Sequence, residues 1–235
     1  MIITPSQEDI ETAVRAFLLD VTSLADVILG EVNRVPSPED ANYIVFWPLL
    51  RARLSTNVQG LVDCVFTASI AGTAMTVTDV EYGELEVGYP VYGVGVTLGT
   101  SIISGPGGVG SYVVSPSQNV AARSMSSGSL DVTQSTGVTM QVDIHGPNSG
   151  DHAEVITTLF RDGYAVDFLQ AINSEITPLG ASDPRQMPFS TGEQQTDIRW
   201  IVDLELQVNQ TVVVPQPFAE TVDVGVISVE ATYPS

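Results

Sequence analysis

Four successive stretches decide the fold: residues 140–146 (MQVDIHG), 151–172 (DHAEVITTLFRDGYAVDFLQAI), 181–197 (ASDPRQMPFSTGEQQTD) and 199–208 (RWIVDLELQV). The first and last alternate as half-buried strands do. In the last, Trp200, Val202, Leu204, Leu206 and Val208 point inward while Asp203, Glu205, Gln207 and Asn209 point outward. A slip of one residue would bury two carboxylates, so the register is fixed. Between them lies an amphipathic helix with the stripe Ile156, Leu159, Phe160, Phe168, Leu169 and Ile172. Asp151 is its expected N-cap and Glu154 the reciprocal partner, with a kink at Gly163. The polar stretch 181–197 is longer than a simple connection requires.

Working outward, residues 6–24 predict a second helix. Ser6 is a natural N-cap with Asp9 three residues on, and Glu8, Asp9 and Glu11 favour the helix dipole. Ile10, Ala13, Val14, Phe17, Leu18, Val21 and Leu24 line one face, so the helix packs on a sheet. Gly30 and VPSPED break the chain after it. Residues 43–50 (YIVFWPLL) are strongly β-prone, with Pro48 marking an edge or a bulge. Residues 51–58 continue the strand, placing Arg51, Arg53, Ser55 and Asn57 on one side and Ala52, Leu54, Thr56 and Val58 on the other. The two arginines fit either a solvated face or a salt-bridging subunit contact. A last alternating run, 224–232, is expected to complete the sheet.

Composition changes twice along the chain. Residues 65–128 are rich in Ser, Thr, Gly, Val and Ala, and carry Asp79, Glu81, Glu84 and Glu86 against Arg123 alone, a net of −3 out of −20. Short alternating runs such as 74–80 and 111–115, separated by Gly and Pro turns, suggest a small sandwich or barrel. The expected class is α+β: a mixed or antiparallel sheet flanked by helices, interrupted by a small all-β insertion. Residues 1–64 and 129–235 form the discontinuous core and 65–128 the inserted module.

The 235 residues suffice for one large domain or two modest ones. No apolar run approaches the roughly 20 residues needed to span a bilayer. The acidic start MIITPSQEDIE lacks the regions of a signal peptide, so a soluble protein assembled in the cytoplasm is expected. Acidic residues outnumber basic ones 28 to 8, and all eight bases are Arg. The charge balance argues against direct wrapping of nucleic acid, since phosphate neutralisation needs a basic stripe. The acidity fits general solubility, and it also fits a duct through which DNA slides without sticking.

Catalytic and cofactor signatures are missing. GPGGVG at 105–110 lacks the Lys-Ser/Thr of a phosphate loop and sits between strands, so it reads as a turn. His145 and His152 with Asp143, Asp151 and Glu154 have metal-ligand types, but match no HExxH spacing, and turn and cap roles account for the acids. No G-x-S-x-G elbow exists, and carboxylate pairs among 28 acids carry no information. Glu81, Glu84 and Glu86 around Gly83 read as an exposed turn. Cys64, alone in LVDCVF, reads as a small buried hydrophobe. Neither enzyme activity, cofactor nor metal is expected. The stretch 181–197 differs: it places Met187 and Phe189 among Arg185, Gln186, Gln194 and Gln195, the pattern of an apolar anchor ringed by polar groups. Packing over the protein's own core is the alternative for those two side chains.

Three segments carry a resemblance: YIVFWPL with R-x-R-x-STN, MQVDIHGPNSGDHAEVITTLFRDGYAVDF, and PLGASDPRQMPFSTGEQQTDIRWIVDLELQVNQTVVVPQPFAE. Together they resemble phage neck and tail-terminator proteins, most densely over 140–220. Residues 65–128 are similar to β modules recurring in phage structural proteins. The resemblance implies a structural virion protein that forms a ring, a hexamer, at the head-proximal end of a tail. The ring caps the tube and leaves a lumen for DNA, which is not bound sequence-specifically. It implies as partners further copies of the chain, the tail tube protein, a head-side neck or connector protein and, in a contractile tail, the sheath; no membrane is involved. Arg51, Arg53, Arg161, Arg185 and Arg199 are the candidates for pairing across subunits, with Met187 and Phe189 as apolar anchors. A head-side connector or stopper is the neighbouring possibility. A glycan-binding adhesin using Tyr82, Tyr89 and Tyr92 of the module is the third.

Overall fold

The computed structural model describes residues 2–24, 26–30, 42–187, 189–190 and 196–215. It overturns the expected class of a helix-flanked α+β fold. Among the described residues the protein is mostly β, with 57% strand against 20% helix and one large mixed sheet of ten strands. The cause lies in the Ser/Thr/Val-rich middle, whose runs do not stop at each turn residue but fuse into two very long strands. In chain order the elements begin with β1 (Ile2–Thr4), α1 (Gln7–Thr22), β2 (Val27–Leu29), β3 (Tyr43–Arg53), β4 (Val58–Tyr82), β5 (Val91–Tyr92) and β6 (Ser101–Ser104). They continue with β7 (Gly110–His145), α2 (Ser149–Phe160), α3 (Gly163–Ile172), β8 (Ile176–Ala181), β9 (Arg185–Gln186), β10 (Phe189–Ser190), β11 (Thr196–Asp197) and β12 (Arg199–Pro215). At 25 and 36 residues, β4 and β7 alone supply most of the strand. The run at 224–232 lies outside the described residues.

Two compact units emerge, one of Met1–Gln59 with Val132–Val212, the other built on Gly60–Asp131. In the first, the strand order is β1-β12-β7-β3-β2, with β8 and β9 also on β12. The β2–β3 pair is parallel and the β3–β7 pair antiparallel. The core joins the stripe Ile10, Ala13, Val14, Phe17 and Leu18 of α1 to alternate residues of β3, β7 and β12. Phe17 meets the rings of Phe160 and Phe168 edge-on at 5.4 and 5.8 Å. The start of α1 forms as its sequence predicts: Ser6 Oγ accepts from the Asp9 amide, and the Asp9 carboxylate accepts from the Ser6 amide at 2.7 Å.

The second helical stretch differs from expectation. It is two helices, not one kinked helix, because Asp162 caps a new start by accepting from the Tyr164 amide at 3.1 Å. Asp151 lies inside the first turn of α2; the N-cap is Asn148, with no side-chain capping bond. Strand β3 ends at Arg53 rather than running on to 58.

In the second unit, buried Cys64, Phe66, Ala68 and Ile70 alternate along β4, and the pattern resumes at Met75 and Val77. The parity changes across Gly72, whose φ of +68° is one that L side chains rarely adopt. GPGGVG joins β6 to β7 as a turn, with Tyr112 lying so close over Gly105 that a Cβ there would sit 1.8 Å from the ring.

Candidate subunit and partner interface

Strand β12 organises the first set of candidate residues. Its start pairs with β9, Trp200 opposite Gln186 and Ile201 opposite Arg185, and the Met187 amide donates to the Arg199 carbonyl at 2.9 Å. Part of the stretch expected as loop is therefore strand. Met187 is half exposed and Gln186 exposed. Phe189 enters the short β10–β11 pair, opposite Asp197. Gln194 and Gln195 lie outside the described residues.

Three of the five candidate arginines meet carboxylates within the chain. Arg161 donates to the Ala181 carbonyl at 2.7 Å and pairs with Asp183 at 2.8 Å. Arg185 pairs with Asp203 at 3.0 Å. Arg199 pairs with Asp143, which is buried and also accepts from Gln141 Nε2 at 2.9 Å. The first two are exposed pairs of small energetic weight. The third places a charge in the sheet interior and fixes the approach of β12 to β7.

Arg51 and Arg53 stand apart. Arg51 donates to Gln210 Oε1 at 2.6 Å and to Gln7, both neutral amides, while Arg53 donates to the Ser55 carbonyl at 2.7 Å. Among the described residues neither has a carboxylate partner. Gln210 and Arg199 are eleven residues apart on β12, about 36 Å at the usual rise. The two arginine sets therefore sit at opposite ends of that strand.

The bulge signalled by Pro48 sets which way these residues point. Pro48 faces Met140 and Leu50 faces Thr139, leaving Leu49 as the extra residue. Side chains opposite each other share a face, so Ile44, Phe46 and Pro48 lie on the core side with Ile144, Val142 and Met140. Past the bulge the alternation inverts. Arg51 and Arg53 now share the face of Val138 and Thr136, and Leu50 and Ala52 take the other. Leu54 follows over Gly137, its Cδ2 3.3 Å from where a Cβ would stand. This leucine stripe was not among the expected site residues. Its signal was available in Pro48, because counting one extra residue there inverts the faces.

Two of the metal-type residues, His145 and Asp143, are otherwise engaged. His145 stacks on Tyr43 with ring centroids 4.5 Å apart, and Asp143 holds Arg199. Among the described residues no three His, Cys, Asp or Glu side chains could share a metal ion. Cys64 is buried as expected, and burial pushes its thiol pKa up. Of the module's tyrosines, Tyr82 is exposed and Tyr89 and Tyr92 are half-buried. No described helix is long and apolar enough to cross a membrane.

The arrangement is one of strand edges, paired charges and exposed leucines, which suits assembly. Residues 88–232 match the family described as phage neck terminator protein, so the chain belongs to that family. Its role is structural, in the phage neck, in association with other tail and neck proteins of the virion. No curated protein matches the chain.

Proposed function

We propose that this protein forms a ring, a hexamer, at the head-proximal end of the tail. It caps the last layer of tube and joins the tail to the head-side neck protein, with a lumen for DNA and no catalytic step. Family membership over residues 88–232 is the observation that carries this reading. Two features support it. A net charge of −20 without a single lysine suits a wall that DNA passes without adhering, and a head-to-tail ring needs different patches on one subunit, which the separated arginine sets provide. Partners on this reading are copies of the chain, the tail tube protein, the head-side connector and, in a contractile tail, the sheath. Electron microscopy of particles assembled without this protein tests it. Overlong tubes without heads are expected; tubes of normal length lying free would make it a connector instead.

A further inference from the structure

The first unit has two lateral edges of opposite character. Side-chain contacts of β12 with β7 run from Arg199–Asp143 through Asn209–Ser135 to Thr211–Thr133, so β7 follows β12 along its length. Strand β8, paired with Ile176–Ala181 against residues 204–208, therefore lies on the other side of β12 from β7. The order is β8-β12-β7-β3, and β2 stops pairing with β3 at Phe46. Among the described residues, no strand covers β3 beyond that point on the side away from β7, nor the outer side of β8.

Both edges carry a bulged, exposed leucine. Leu49 is the extra residue of β3 and is 55% exposed, beside Leu50 at 58% and Leu54 at 50%. Leu179 is the extra residue of β8 and is 52% exposed. Half-exposed leucines gathered at a sheet edge mark a contact surface. Charge then selects the occupant. The β3 edge holds exposed Arg53, which lacks a carboxylate partner among the described residues, whereas exposed Glu175 adjoins the start of β8. Two β3 edges meeting each other would set guanidinium against guanidinium, which is unfavourable. A β3 edge meeting a β8 edge pairs opposite charges and buries leucine on leucine.

We propose that the outer edge of β3 in one copy docks on the outer edge of β8 in the next, Leu49, Leu50 and Leu54 against Leu179, with Arg53 facing Glu175. Pro48 and Pro178 each lack a backbone donor, so the contact is made by side chains rather than by continuing the ladder. Unlike edges in contact make the association heterologous, the kind that closes into rings. The inference rests on the ring reading above and names the surface it uses.

Disulfide trapping in assembled particles tests it, because the native thiol, Cys64, is buried and silent. Full-length Leu50→Cys/Leu179→Cys protein, oxidised in particles, is expected to give a ladder of covalent multimers. Each single variant alone is expected to give none. Dimers from Leu50→Cys alone, or incorporation without any bridge, would overturn the edge contact while leaving the terminator role intact. Absence of the wild-type chain from particles would overturn the role itself, and the contact with it. A charge swap gives an independent readout. Arg53→Glu should lower incorporation roughly tenfold, the scale of a 1.4 kcal/mol change, and adding Glu175→Arg should restore it. Equal incorporation of all three proteins would overturn the contact.

Discussion

The ion pair of Arg199 with buried Asp143 ties the start of β12 to β7. Asp143 sits in a pattern that resembles metal ligation, and Arg199 is one of the scattered arginines offered for subunit contacts. Neither pattern contains the fact that the two strands bring them together inside the sheet. Asp143 is 3% exposed, so removing its partner strands a charge in a poorly solvated place. Arg199→Met is expected to cost about 3 kcal/mol in chemical denaturation, in line with other broken buried pairs. The double variant Asp143→Leu/Arg199→Met should lose clearly less than that. Equal losses in the single and double variants would show that packing, not charge, is what the pair supplies.

Among the elements, the start of α1 was legible to the residue and the α2–α3 boundary was not. The Ser6–Asp9 box is a local exchange of hydrogen bonds that sequence spacing states directly. Hydrogen bonds from the Ser6 backbone and side chain hold the Asp9 carboxyl below its ordinary value of 3.8. Because the folded pKa is the depressed one, this contribution is complete above 3.8 and fades as the pH falls through the folded value. Ser6→Ala is expected to lower stability by about 1 kcal/mol at neutral pH. Its difference from wild type in thermal melts should narrow below pH 4, roughly the unfolded aspartate value. A constant difference across that range would exclude the charged cap. Beyond Asp162 the apolar stripe resumes at Phe168, Leu169 and Ile172, and periodicity alone saw one kinked helix where a capping side chain starts a second. The flank strands were legible for the opposite reason. Alternation in β12 fixes its faces, and Val202, Leu204, Leu206 and Val208 are all buried.

For the whole molecule, the family could be recognised from the flanks, but the class could not. Strand length depends on partners distant in sequence, so nothing local in residues 58–82 or 110–145 tells that they form single strands of such extent. We propose that residues 65–128 are an insertion into the terminator core. The ends of the surrounding compact stretch favour this, since a Cβ at Gly60 would lie 3.9 Å from Asp131 Cβ, a spacing that a tight turn bridges. Replacing residues 61–130 by Asn-Gly should leave a folded protein with a cooperative melt and retained far-ultraviolet helix signal. Loss of the cooperative transition would make the module part of the core instead. The most direct test of the central claim is cryo-electron microscopy of the head-proximal end of intact tails. A sixfold ring of this chain seated on the last layer of tube is expected there. Density for the chain on the head side of the joint, or at any other part of the particle, would contradict it.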